Sequence, residues 1–186
     1  MKRIICLICM VIFLAGCNNH IDVMDTALQL RQDLNVANGC RFDVRITADY
    51  GNNCYTFLLN CEAGSNDTLD FTVTAPESIR SITGSISNKG GQLTFDDAAL
   101  AFPLLADDQL SPVSAPWIFL KSLRSGYITS AGSVDDQVRL ILEDSFQGDT
   151  LTIHIWLDIY NQPILAEIYH NGYRILTMEV ENFQIL

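Results

Sequence analysis

Positive charge is scarce in this 186-residue chain: 11 lysines and arginines stand against 22 aspartates and glutamates, a formal charge of −11. The basic residues do not cluster, which excludes the phosphate contacts that nucleic acid or an anionic lipid surface would require. Catalytic signatures are also missing. Downstream of residue 16 there is no nucleophile elbow, phosphate-binding loop or Cys-x-x-Cys pair, and His20, His154 and His170 stand outside any zinc or nucleophile pattern. His154 and Asp158 share a strand face, but four residues at about 3.4 Å each hold them about 13–14 Å apart, beyond a hydrogen bond. The expectation is a protein without enzymatic activity, cofactor or metal. The acidic pairs Asp96-Asp97, Asp107-Asp108 and Asp135-Asp136 lack the spaced ligands and glycine of a calcium loop. His20 and His170 are expected to be solvated. Long apolar runs are absent too: Ile4–Leu14 is too short to span a bilayer, which takes about 20 residues.

That short run has a clear use. Lys2 and Arg3 precede it, Ala15-Gly16 close it and Cys17 follows, the layout of a secretory signal. Leu14-Ala15-Gly16-Cys17 resembles the lipobox of bacterial lipoproteins, which implies that Cys17 receives a diacylglyceryl group before cleavage at its N-terminal side. The alternative is an ordinary signal peptide with a chance cysteine. Residues 1–16 are therefore expected to be a lipoprotein signal peptide, 17–20 a lipidated cysteine and short tether, and 21–186 a single domain. Loss of Lys2 and Arg3 leaves nine basic residues against 22 acidic ones, a charge of −13. Attachment to a membrane must then come from lipid, each buried methylene contributing about 0.8 kcal/mol. The tether reaches only on the order of 10–15 Å, so the domain sits close to the extracytoplasmic face of a bacterial membrane, a Gram-positive cell membrane being favoured.

Within the domain, Val23, Ala27, Leu30 and Leu34 fall on one helical stripe over residues 21–35. From residue 41 the period changes to two. Strands are predicted at 41–50, 54–61, 68–75, 79–88 and 92–97, with Gly51-Asn52-Asn53 and Lys89-Gly90-Gly91 as turns. Residues 98–116 hold three of the five prolines and read as a long loop. A helix starts near Pro116 and stops at Gly126, with Trp117, Phe119, Leu120 and Leu123 on its apolar face. Five more strands follow at 127–132, 137–146, 150–160, 163–170 and 173–183. Asn171-Gly172 suits a type I′ hairpin, since both residues accept positive φ. The expected class is mainly β (α+β): an antiparallel meander of about ten strands, strongly curved into an incomplete barrel and capped by the two helical segments.

Both faces of this sheet carry apolar residues. Ile153, Ile155, Leu157 and Ile159 share one face of their strand and Trp156 the other. Pairing across Asn171-Gly172 sets Ile168 against Ile175 and Leu165 against Met178, on opposite faces. A sheet wrapped around helices or around an apolar ligand explains this, and so does a filled core with ordinary exposed apolar residues. Of the downstream cysteines, Cys54 and Cys61 point to opposite faces of one strand. Cys40 and Cys54 lie about 20 Å apart along a hairpin. A tight turn over Tyr50-Gly51 places Cys40 directly across from Cys61, which predicts a disulfide between them. Three reduced thiols are the alternative.

The order of elements, with Pro103, Ser111-Pro112 and the terminal pattern Pro163-x-x-Ala166-Glu167-Ile168-Tyr169-x-Asn171-Gly172, resembles the lipoprotein-carrier superfamily. That superfamily includes LolA/LolB-like carriers, mycobacterial lipid-transport lipoproteins and germination-associated lipoproteins of Firmicutes. The resemblance implies an incomplete barrel with an apolar cavity for acyl chains. Trp117, Phe119, Leu120, Leu123, Ile153, Ile155, Leu157, Ile168 and Ile175 are the residues expected to line it. The expected function is carriage of an acyl chain or a lipoprotein client. The alternative is an adaptor with a vestigial cavity that holds an envelope or germination partner protein. Shuttling carriers are soluble, whereas the short tether would fix this protein in place.

Overall fold

The computed structural model describes residues 23–49, 54–96, 98–106, 109–135, 137–146 and 148–186. The signal segment, Cys17, the tether, His20 and the Gly51-Asn52-Asn53 turn lie outside the described residues.

Helix α1 (Val23–Val36) buries Ala27, Leu30 and Leu34 of the predicted stripe together with Thr26, while Val23 is only partly buried. Strands β1 (Gly39–Asp49), β2 (Cys54–Gly64) and β3 (Leu69–Ala75) follow. A 3₁₀ turn over Glu77–Ile79 then delays β4 (Thr83–Ser87) relative to the expected start at 79. The β4–β5 turn lies over Asn88-Lys89, so β5 is Gly90–Phe95.

The predicted long loop contains regular structure. Its first residues form β6 (Ala98–Phe102), and a small separate hairpin follows from β7 (Leu105–Ala106) and β8 (Gln109–Leu110). Helix α2 (Ala115–Ser125) carries Pro116 in its first turn and ends before Gly126, as expected. Strands β9 (Tyr127–Val134), β10 (Gln137–Phe146), β11 (Asp149–Leu157), β12 (Pro163–His170) and β13 (Tyr173–Ile185) complete the chain.

Eleven strands form one antiparallel sheet, in the order β6-β5-β4-β3-β2-β1-β13-β12-β11-β10-β9, that does not close into a barrel. It is not one continuous meander. Two meanders meet where the first strand pairs with the last, and the segment with α2 crosses from one edge to the other. The β1–β13 seam is why the helices fit inside: it joins the two arms behind α2 and lets both curl forward.

Two glycines help the β3–β5 arm to curl. A Cβ on Gly84 would lie 2.5 Å from the Phe71 ring, and one on Gly91 2.1 Å from the Phe102 ring. Each aromatic covers the missing side chain of its cross-strand partner. At the other end, Asn171 and Gly172 adopt φ of 50° and 81°, the two positive angles a type I′ turn requires.

The β12–β13 register differs from the expectation. Ile168 pairs with Leu176 and Ala166 with Met178, because a bulge after Ile168 absorbs one extra residue. Leu176, Met178 and Val180 therefore join Ala166 and Ile168 on one buried face, and Leu165 turns to the other. The shift moves Met178 to the inner face, while Trp156 and Leu165 remain on the outer one.

The cysteine prediction fails for a similar reason. The β1–β2 hairpin pairs Asp49 with Cys54, which puts Cys40 opposite Ala63 and Cys61 opposite Phe42. Cys40 and Cys61 are thus diagonal neighbours on one face, where Cα atoms lie about 7–8 Å apart, too far for an unstrained bridge. Both are buried free thiols, and Cys54 is a free exposed one. Burial raises the Cys40 pKa to about 11 and pushes that of Cys61 well above its ordinary value, so neither forms a reactive thiolate near neutral pH. His170 also departs from expectation: it is buried, with Nε2 3.8 Å from Asp149.

Candidate functional site

The concave face was the expected site. Helix α2 lies in it, and every residue predicted to line a cavity packs there instead. Trp117, Phe119, Leu120 and Leu123 are no more than 3% exposed, Ile153, Ile155, Leu157 and Ile168 are fully buried, and Ile175 is half-buried against them. Phe119 meets Phe42 and Phe183 edge-on, with ring centres 5.8 and 6.4 Å apart. Trp117 meets Phe146 in the same way at 5.9 Å. Edge-to-face pairs of this kind add to the burial of the rings themselves. The predicted loop closes the other arm from inside, with Leu104 and Leu110 buried beneath it.

Polar contacts hold α2 in place. Trp117 Nε1 donates to the carbonyl of Asp67 in the β2–β3 turn at 2.7 Å. Arg31 of α1 donates through Nε to Leu123 O and through Nη2 to Gly126 O, at 2.8 and 2.6 Å, where a helix leaves carbonyls unpaired. Arg124 donates to Gly64 O, and Lys121 pairs with Asp144 at 2.6 Å while its ammonium lies over the Phe146 ring. A helix tied to α1, to β10 and to backbone carbonyls of β2 and the β2–β3 turn serves as a plug.

Hollows are found on the opposite, outer face. One of about 740 Å³ is a shallow trough across β13, β1, β2, β3, β4 and β5. Its floor is two cross-strand rows, Gln184–Arg41–Glu62–Asp70–Ser85–Gln92 and Asp43–Asn60–Thr72–Thr83–Thr94. Arg41 donates both Nε and Nη2 to Gln184, while Glu62 stands directly across from Asp70, a like-charge pairing that opposes the sheet. Asp43 accepts from Asn60 and from Asn182, whose φ of 54° marks a bulge in β13. The trough floor carries Asp43, Glu62 and Asp70 against the single basic residue Arg41, so the polar side chains facing it are mostly acidic or neutral. It was legible as the polar half of each alternating strand, but nothing in the sequence marks it as concave.

Farther along the outer face, β10–β13 carry an aromatic and charged cluster. Arg139 Nη2 lies 3.0 Å from His154 Nδ1, and its guanidinium lies over Trp156. The His154 and Tyr169 rings are 4.5 Å apart. Burial and then the Arg139 charge hold the His154 pKa below its ordinary value, so the ring is a neutral acceptor. Burial works to raise the Glu167 pKa, but hydrogen bonds from Tyr169 and Arg174 leave it lowered. Asp158 accepts from the Tyr160 and Gln162 amides, closing its own turn. Among the described residues, no three His, Cys, Asp or Glu side chains are grouped to hold a metal, and no helix is long and apolar enough to cross a membrane.

No family model matches the chain. No curated protein matches it either. Solved structures with LolA-superfamily and lipoprotein-carrier folds do. A putative outer membrane lipoprotein-sorting protein domain from Vibrio parahaemolyticus is 10% identical, with TM-score 0.49 over 86% of this chain and 90% of that one. A LolA-superfamily protein from Nitrosomonas europaea is 11% identical, with TM-score 0.46 over 86% and 93%. A chain of the complex between the CwlD amidase and the GerS lipoprotein from Clostridioides difficile is 10% identical, with TM-score 0.43 over 88% and 95%. These likenesses concern the fold.

Proposed function

We propose that this protein is a non-enzymatic lipoprotein of a bacterial envelope, anchored by lipid on Cys17, and that it acts as an adaptor holding a protein partner beside the membrane. The observation that carries this reading is the filled interior. The side chains that an acyl-chain carrier would leave around a lumen are here packed against α2 and one another. Protein interiors pack at crystal-like density, and a site for a drug-sized apolar ligand takes some 300–1,000 Å³. Carriage of an acyl chain or lipoprotein would require α2 to leave its contacts with Asp67, Gly64 and α1. The outer trough, with Asp43, Glu62 and Asp70 on its floor, suits a protein surface better than a lipid.

Native mass spectrometry of the full-length protein extracted from its own membranes tests this. The adaptor reading expects an empty domain that co-elutes with one partner at fixed stoichiometry. A co-purifying lipid that survives collisional activation, with no protein partner, would overturn it in favour of carriage. The anchor has a separate test. Cys17→Ala should move the folded domain to the soluble extracytoplasmic fraction, and retention on membranes after a high-salt wash would show that lipid on Cys17 is not the attachment.

A further inference from the structure

The water-facing side of an antiparallel sheet is normally polar, and the trough rows over β1–β5 are. The same face over β10–β12 is not. Arg139, Trp156 and Leu165 stand side by side in one cross-strand row, with Ile141 and His154 next to each other in the row beside it. Trp156, Leu165 and Ile141 are only partly buried, and both helices pack on the opposite face. Tryptophan and arginine are residue types on which binding energy concentrates at protein interfaces.

Arg139 says what belongs on this patch. Charges withdrawn from water are normally paired, and carboxylates are plentiful here, at 22 acidic residues against 11 basic ones. Among the described residues, however, no carboxylate pairs with Arg139. Its guanidinium lies over the Trp156 ring, with Nη2 on neutral His154 and a buried Nε that has no acceptor. The neighbouring carboxylates are already taken, Glu167 by Arg174 at 2.6 Å and Glu179 by Arg45 at 3.5 Å. Lys89, exposed at a turn, is solvated and needs no such partner. The approach to Arg139 is also open. The residue directly across from it on β9 is Gly132, and a Cβ there would meet nothing within 4 Å.

We infer that this patch is the partner-docking surface, and that it takes an aspartate or glutamate set among apolar side chains of the partner protein. The carboxylate pairs with Arg139 and its apolar neighbours cover Trp156, Leu165 and Ile141. This rests on the adaptor reading and names the surface and the chemistry it would use. The complementarity is local: one unmatched cation among apolar side chains selects one carboxylate, and exclusion of water by the rings strengthens the pair. A second copy and an anionic bilayer are both opposed by the chain's net charge of −11.

Gly132→Glu tests the inference without touching the core. The new carboxylate would stand across from Arg139 at cross-strand contact distance and occupy the guanidinium from within the chain. Gly132→Gln adds the same bulk without the charge. The probes are the peptide acetyl-Leu-Asp-Leu-Leu-amide and its asparagine analogue, with the lipid-free domain as receptor and the indole resonance of Trp156 as reporter. The expected result is a saturable shift of Trp156 by the aspartate peptide and about tenfold weaker binding of the asparagine peptide. The shift should vanish in Gly132→Glu and persist in Gly132→Gln. Equal binding of the two peptides, no shift with either, or an unaltered response in Gly132→Glu would overturn the inference. So would a concentration-dependent dimer, or binding to phosphatidylglycerol vesicles, that Gly132→Glu abolishes, since the occupant would then be a second copy or a membrane. In full-length protein extracted from its membranes, a partner that co-elutes as strongly with Gly132→Glu as with the wild type would mean that this surface is wrong and the adaptor reading survives. If neither co-elutes with a partner, the adaptor reading fails and this inference with it.

Discussion

The two arms of the sheet solve the same problem with unequal means. The β9–β13 arm folds against both helices. Its inner residues are nearly all buried, and Arg31, Lys121 and Asp144 tie the helices to each other and to the sheet. Among the described residues the β3–β6 arm has the crossing segment inside it, chiefly Leu104, Leu110 and Val113, and Phe95 and Leu100 at its tip are exposed. A sheet long enough to wrap two helices is longer than the helices can cover. Among the described residues, the exposed remainder lies at the tip of the β3–β6 arm.

The sharpest way to break this contrast is truncation of one aromatic in each arm. Phe119→Ala removes a fully buried ring that touches Phe42 and Phe183, and should cost about 3–5 kcal/mol in denaturant unfolding. Phe95→Ala, at the half-exposed tip, should change stability by no more than about 0.5 kcal/mol. Equal costs would mean that the tip is covered in solution. A smaller effect, about 1.5–3 kcal/mol, is expected for Arg31→Met, which keeps the aliphatic stem but leaves the carbonyls of Leu123 and Gly126 without their charged donor. If that variant melted like the wild type, the clamp on α2 would be incidental.

The smallest effect is one of pH. His154 has a lowered folded-state pKa, so the unfolded chain takes up its proton first as pH falls. Stability should therefore decline once pH drops below about 6.5, and level off after folded His154 titrates. Glu167, also lowered, adds a separate loss at more acidic pH, as pH falls through its folded-state value. His154→Gln should flatten the first decline and leave the second. An unchanged profile would place the titration elsewhere.

Much of this architecture was legible because alternation is a local signal. The α1 stripe, the Pro116 start of α2 and the Asn171-Gly172 turn each follow from a few adjacent residues whose geometry admits little else. Registers were less accessible. The four residues between Asp49 and Cys54 set a register that overturns the Cys40–Cys61 bridge, and the bulge after Ile168 sets one that overturns the face assigned to Met178. β6 was missed because Ala98–Phe102 has no polar alternation. The candidate cavity residues are apolar and, except for the half-buried Ile175, buried. Sequence periodicity cannot say whether an inner face encloses space or a plug, because both demand the same apolar pattern.

The central claim is that α2 fills the interior, and Trp117 is the reporter placed to test it. In a Trp156→Phe variant Trp117 is the only tryptophan left, 3% exposed and bonded to Asp67. Titration with brominated fatty acids of several chain lengths reads contact between an acyl chain and that indole. A filled interior predicts unquenched Trp117 emission at every length below the onset of unfolding. Saturable quenching by any of them, with the domain still folded, would contradict it.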